Sequence, residues 1–201
     1  MPIIASFDPG KKNFAFYVEE FNLDVIQKLN SSKHKKNKDD ILNILYKTSK
    51  TLIIKNKQIS SSDYDLEARL NLFYILEKYK KIWKKVDIFI IEQQYFSTFY
   101  KNSIQANIEA IKIAETLYTW LLSHYKNAQF FIFGASNKTK VLGCPPKTNK
   151  YNRKKWSVQK CKDIFDIRND DYELIEKYKK KDDISDCVLQ CQSFKYLKLI
   201  I

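Results

Sequence analysis

Glycine is scarce, with only Gly10, Gly134 and Gly143 in 201 residues. A two-lobed ATP-binding fold of the actin or sugar-kinase kind needs several glycine-rich segments to admit phosphates and adenosine, and the chain is short for two such lobes, which tells against that class. Histidine is rarer still, and His34 and His124 are too isolated to form a catalytic pair. The four cysteines include no Cys-x-x-Cys pair. Cys187 and Cys191 stand one helical turn apart, Cys144 and Cys161 lie elsewhere, and all four read as small packing residues rather than zinc ligands. Without an export signal they are expected as free thiols in a reducing compartment. No apolar run approaches the roughly 18 residues needed to span a bilayer. The first strand begins by residue 3, which leaves no room for a signal or transit peptide.

What is present is lysine. The formal net charge is +13, and only Arg69, Arg153 and Arg168 are arginines. Such an excess favours a polyanionic partner. An AT-rich genome also writes Lys, Asn and Ile often, so charge alone does not demonstrate nucleic-acid binding. Hydrophobic content of 44% with 29% charge describes a globular chain able to bury a core, one domain with a segment at 31–62 read as an insertion.

The organising stretch is residues 3–18. Ile3, Ile4, Ala5 and Phe7 form a short apolar strand, Pro9-Gly10 makes a turn, and Phe14, Phe16 and Val18 alternate on the return. Asp8 ends the apolar run, where a lone carboxylate is costly unless hydrogen-bonded or placed on a metal. Residues 23–29 are expected as a third strand of an antiparallel meander, and 31–40 as a charged, solvated loop. A helix opened by Ser62-Asp63 should place Leu66, Leu70, Phe73 and Leu76 on one face. Val86 to Ile91 is a second buried strand and also ends in an acid, Glu92. An amphipathic helix over 102–125, a buried strand at 129–134 and helices near 154–167, 171–178 and 182–197 complete the chain. That order predicts an α/β fold of ribonuclease H-like type: a mixed five-stranded sheet, three strands antiparallel and then parallel ones, flanked by helices.

If the strands ending in Asp8 and Glu92 are parallel neighbours, their carboxylates meet at the carboxyl edge, where α/β sheets place their sites. Asp183 and Asp186 lie at i, i+3 on the last helix, while Asp182 and Asp186 lie at i, i+4. A helix N-terminus alone favours acids at 182 and 183. It does not account for Asp186 on the same face, nor for acids closing two buried strands. Four gathered carboxylates repel one another unless cations intervene, and all-oxygen ligands select Mg²⁺ or Mn²⁺ over zinc. Two such ions about 3.5–4 Å apart suit phosphodiester hydrolysis.

At these residues the chain resembles the RuvC-like Holliday junction resolvases, closest to their poxviral and fungal mitochondrial branch. Asp8, Gly10, Lys12, Asn13 and Ala15 match a first motif; Ile91-Glu92-Gln93 with the aromatics after it matches a second. Lys180, Asp182, Asp183, Asp186 and Gln190 match a third, and Arg153-Lys154-Lys155-Trp156-Ser157-Val158 is similar to the basic helix start preceding the final acids. The resemblance covers most of the chain outside 31–62. It implies a Mg²⁺-dependent endodeoxyribonuclease that resolves four-way junctions, with two ions on Asp8, Glu92, Asp183 and Asp186, and Asp182 as the alternative to Asp183. It further implies a catalytic lysine at the scissile phosphate, Lys155 by its offset from Val158, with Lys154 close behind. DNA contacts are expected from Lys11, Lys12, Lys101, Arg153, Lys154 and Lys155, and base stacking from Tyr95 and Phe96. Phe99 and Tyr100 fit packing equally well. Symmetrical cutting of two strands calls for a C2 homodimer, for which the 102–125 helix is the chosen interface. The same fold and metals would also serve an RNA–DNA hybrid nuclease, and a non-cleaving branched-DNA-binding module is the remaining alternative. The lack of a presequence favours a viral protein in its host cell over a mitochondrial one.

Overall fold

The structure, a computed structural model, describes residues 1–10, 12–32, 36–60, 65–95, 97–100 and 103–200, with the backbone alone for 65, 97–100 and 103–106. The chain begins β1 (Ile3–Pro9), β2 (Asn13–Phe21), α1 (Leu23–Ser32), α2 (Lys38–Lys47) and β3 (Ser49–Gln58). It continues α3 (Asp65–Lys78), α4 (Lys80–Trp83), β4 (Ile88–Glu92), β5 (Ser97–Tyr100), β6 (Ser103–Ala106) and α5 (Ile108–His124). Then come β7 (Gln129–Phe133), α6 (Ala135–Leu142), α7 (Lys150–Arg168), α8 (Glu173–Glu176) and α9 (Lys181–Lys195), closed by a π-helical turn at Tyr196–Ile200.

Five strands form one mixed sheet in the order β3-β2-β1-β4-β7. β1 pairs with β2 and β2 with β3 in antiparallel fashion, whereas β1–β4 and β4–β7 are parallel. The ribonuclease H-like mixed sheet is therefore present, three strands antiparallel and the rest parallel. The turn between β1 and β2 is tight: Gly10 N–H donates to Asp8 O at 3.1 Å, and a Cβ on Gly10 would lie 2.8 Å from Asn13 O. Only glycine fits so close an approach.

Period-two alternation divides the core into two layers. Ile4, Ile88 and Ile90 face one side, where the helices α1, α2, α7 and α9 supply Ile26, Leu45, Ile164, Val188 and Phe194. Ala5, Phe7, Phe89 and Ile91 face the other, against Leu72 and Leu76 of α3, Trp83 of α4, and Leu117 and Leu121 of α5. Phe7 contacts Phe14, Phe16, Trp83 and Phe89 ring to ring, at centroid separations of 5.6–6.2 Å.

Several sequence expectations are corrected here. Residues 23–29 are helical, not a strand: Ile26 and Leu29, three apart, are the buried pair of α1, which is helical spacing. The third antiparallel strand is β3, inside the segment read as an insertion. Leu52-Ile53-Ile54 is strand-like in sequence, but the lysines around it hide the strand's full length, and as an edge strand paired only with β2 it tolerates them. In the 31–40 segment, the helices α1 and α2 take all but the middle, and Asn37 caps α2 by accepting from Asp40 N–H at 2.8 Å. α3 buries Ala68, Leu72, Ile75 and Leu76 and leaves Leu66 and Leu70 outside, at 68% and 58% exposure. Its expected Ser62-Asp63 start lies outside the described residues. The long helix begins at Ile108, because Ser97–Tyr100 and Ser103–Ala106 pair instead as the antiparallel strands β5 and β6.

Candidate metal centre and nucleic-acid interface

β1 and β4 run in parallel register with Phe7 opposite Ile91, so Asp8 and Glu92 leave the sheet side by side. Both share the parity of Ile4, Ile88 and Ile90, and alternation turns them to the face covered by α9. α9 crosses that face with Ile184, Cys187, Val188 and Cys191 in the core, which brings Asp186 over the strand ends. Asp8, Glu92 and Asp186 each offer a carboxylate oxygen within 4.8 Å of the others. Asp186 Oδ1 is buried with no hydrogen-bond partner. Oxygen donors at this spacing, one of them an orphaned buried atom, fit a hard divalent cation.

The electrostatics match. Burial lifts the Asp8 carboxyl well above the usual carboxylate range, and Glu92, Asp186 and Asp183 push it further. Burial also raises Glu92, opposed by Lys138 and reinforced by Asp186. Asp183, at the edge of the cluster, is raised by burial and by Asp182, and accepts a hydrogen bond from Asn56 Nδ2 of β3 at 3.4 Å. Asp182 points elsewhere and forms an ion pair with Lys154. Asp183, unlike Asp182, acts electrostatically on both Asp8 and Glu92, but it is not one of the three carboxylates gathered within 4.8 Å.

A lysine outside every motif, Lys138, joins the acids. It sits on α6, directly after the third parallel strand, with its Nζ 2.6 Å from Glu92 Oε2 and 3.1 Å from Asp186 Oδ2. Burial opposes its charge, yet Asp186, Glu92 and Asp8 hold the ammonium above its ordinary range. No motif marked it; its place beyond the carboxyl end of a parallel strand was the available signal.

A cavity of about 410 Å³ opens over this floor, with Glu92, Asp186 and Lys138 at the acids and Lys150, Arg153 and Lys154 among the lining residues. Tyr95 also lines it, 52% exposed, its hydroxyl donating to Gln93 Oε1 at 3.2 Å. Lys154 reaches this cavity. Lys155 does not, and lies instead over the Tyr151 ring, 4.5 Å from its centroid. Lys12 is exposed on the β1–β2 turn. Lys11, Phe96 and Lys101 lie outside the described residues, and of Phe99 and Tyr100 only the backbone is described.

Behind the acids, Gln190 Nε2 donates to Ser6 Oγ at 3.1 Å and also lies 3.4 Å from Phe7 O and 3.5 Å from Ile90 O, tying α9 to β1 and β4. Farther back, Glu19 of β2 is fully buried between Lys195 Nζ at 2.5 Å and Arg168 NH1 at 3.1 Å. Tyr17 and Gln192 also donate to it, at 2.7 and 2.9 Å. This network joins α7 and α9 to the sheet. The four cysteines are unpaired thiols, as expected.

The mixed sheet, its helical covering and the acids on adjacent parallel strands make this a RuvC-like fold. Thermus thermophilus RuvC superposes with a TM-score of 0.59 at 11% identity, over 96% of this chain and 94% of that one. The fowlpox virus Holliday junction resolvase gives 0.55 at 19% identity, over 96% and 97%, and has also been solved with substrate Holliday junction DNA. The yeast mitochondrial Holliday junction resolvase Ydc2 gives 0.57 at 12%, over 96% and 78%. Identities this low establish the shared fold. In sequence, the chain is 30% identical over 214 residues to the uncharacterized protein 97L of Invertebrate iridescent virus 3, across 96% of this chain and 99% of that protein, and belongs to its family. The uncharacterized protein 170L of Invertebrate iridescent virus 6 is 29% identical, over 98% and 89%. No protein-family model matches the chain. Among the described residues, no helix is long and apolar enough to cross a membrane.

Proposed function

We propose that this protein is a divalent-cation-dependent endonuclease that resolves four-way DNA junctions. The observation that carries it is the convergence of Asp8, Glu92 and Asp186, from three separate elements, to within 4.8 Å beside a basic cavity. The fold, shared with RuvC and with the fowlpox and yeast mitochondrial resolvases, supports the same reading.

In this reading Asp8, Glu92 and Asp186 hold Mg²⁺, with Asp183 completing the site and Mn²⁺ able to substitute. Two ions held by these carboxylates would supply an activated water and would stabilise the leaving oxygen of the phosphodiester. The chain's own groups do the rest. Lys138 balances the acids, and Lys154, Arg153 and Lys150 draw the phosphate backbone over them. Lys154 takes the phosphate-facing role first given to Lys155. Tyr95 is placed at the cavity to stack on a base unpaired at the crossover.

Two cuts of like polarity require two sites, so the protein acts as a C2 homodimer. Support for an interface on the face of α5 and its neighbour α3 comes from their exposed apolar residues: Leu66, Leu70, Phe73 and Tyr74 on α3, Ile108 and Leu122 on α5. The iridoviral relatives favour action inside an infected host cell over a mitochondrion.

The test is a gel assay of synthetic four-way junction, RNA–DNA hybrid and linear duplex, with Mg²⁺ or with chelator. Paired symmetrical nicks in the junction alone, and only with the cation, are expected. Preferential cutting of the hybrid would move the assignment to a hybrid nuclease, and binding without cutting would make it a junction-holding module.

A further inference from the structure

A second cavity lies beside the acidic one. It has a volume of about 560 Å³ and is lined by Tyr151, Lys155 and Val158 of α7 and by Lys179, Lys181 and Asp182 at the start of α9. Lys154 lines both cavities, and its ion pair with Asp182 forms the boundary between them. Whatever occupies the second cavity is therefore separated from the catalytic acids by one side-chain pair.

Three features define the occupant. Tyr151 is on the first turn of α7 and is 65% exposed, so its ring is open to a ligand. Lys155 Nζ sits 4.5 Å from its centroid, a cation–π contact that holds the ring in place. Four lysines against one carboxylate make the walls strongly cationic, while the Tyr151 ring and Val158 supply an apolar surface. A duplex backbone running past would need only the lysines. A flat apolar ring set among cations is how proteins hold an unpaired nucleotide, its base stacked and its phosphate paired.

We propose that this cavity seats an unpaired nucleotide of the DNA next to the scissile phosphate, its base on Tyr151 and its phosphate among Lys155, Lys179 and Lys181. The proposal rests on the nuclease reading and adds to it a second stacking position, on the far side of the Lys154–Asp182 pair from Tyr95.

The experiment uses the full chain and four-way junctions carrying 5-iododeoxyuridine at single positions around the crossover. After irradiation in chelator, the crosslinked residue is identified by mass spectrometry. A crosslink at Tyr151 from a position within a nucleotide or two of the cut is expected. In parallel, Tyr151→Ala should weaken junction binding about fivefold or more, the smallest effect expected for losing one stacked base. Tyr151→Phe keeps the ring and should bind like the parent. Lys155→Met should flatten the salt dependence of binding by about one contact. Because Tyr151 is exposed, circular dichroism and melting of the variants should match the parent. Wild-type affinity in Tyr151→Ala, or equal losses in Ala and Phe variants, would overturn the proposal, as would crosslinks that avoid Tyr151. The nuclease reading fails separately, if the parent neither cuts junctions nor prefers them to duplex. In that case crosslinking to an iodinated single-stranded oligonucleotide still decides whether the cavity holds a nucleotide.

Discussion

Lys138 Nζ donates to Glu92 Oε2 at 2.6 Å, with the two side chains only 7% and 15% exposed. The ammonium also reaches Asp186, so one fixed positive charge lies in the group of carboxylates proposed to bind cations. The protein thus carries its own partial counter-charge.

Lys138→Met removes this charge and leaves the acids facing one another. Breaking a buried pair from one side costs roughly 3–5 kcal/mol when nothing compensates. The melting temperature of the variant in chelator should fall sharply, and added Mg²⁺ should recover part of the loss. A melt in chelator equal to the parent's would show that the ammonium does not balance these acids.

Asp8→Asn and Glu92→Gln should abolish cleavage and leave junction affinity nearly unchanged, since phosphate contacts come from the lysines and Arg153. Parallel loss of binding would count against the metal-site assignment. The acids also set a pH dependence. Burial holds Asp8 and Glu92 above the ordinary carboxylate range, so between the ordinary and raised values the native state binds protons that the unfolded chain has released. Without cation, these groups cost the protein stability as pH rises through that window. A bound cation competes with the protons, so the thermal stabilisation by Mg²⁺ should be larger at about pH 8 than at about pH 5.

Glu19 behaves in the opposite sense. Burial would raise its carboxyl, but Lys195 and Arg168 more than offset that and lower it from 4.5 to about 2. Its contribution to stability is complete above the unfolded value and is lost as pH falls toward about 2. Glu19→Gln should destabilise by roughly 3–5 kcal/mol at neutral pH, because two buried cations lose their partner. It should also flatten the acid limb of the stability curve. A variant with the parent's acid limb would remove Glu19 from that role.

Gln190 lies one turn beyond Asp186 on α9 and bonds to Ser6 of β1. Gln190→Leu keeps the volume and forfeits the tie between helix and strands. It should lower turnover more than junction affinity, with a stability cost of about 1–3 kcal/mol for the polar groups left unpaired. Gln190→Glu, which retains an acceptor but lacks the amide donor, should not rescue. Unchanged turnover in the Leu variant would reduce Gln190 to packing.

Part of the fold was legible because buried parallel strands are written as unbroken apolar runs, as β1 and β4 are; β7 carries the same pattern but, as an edge strand, leaves Ile132 52% exposed instead of burying it as expected. β3 was legible only as the strand-like Leu52-Ile53-Ile54, because Lys50, Lys55 and Lys57 on either side hide the full length of this edge strand. α1 was misread because Leu23, Val25, Ile26 and Leu29 admit either period over so short a span. α6 was missed altogether: its sequence, Ala-Ser-Asn-Lys-Thr-Lys-Val-Leu, is mostly polar, and its burial depends on packing against α9.

Local order along the chain determined which acids end strands, which helix carries Asp182, Asp183 and Asp186, and where the basic helix begins, because propensity and side-chain period act over a few residues. Tertiary structure alone decided that Asp8, Glu92 and Asp186 meet, that Lys138 comes to lie among them, and that Lys154 rather than Lys155 looks into their cavity. Those outcomes depend on strand register and on helices packing across the sheet, and a rotation of one helical position is enough to exchange one lysine for its neighbour.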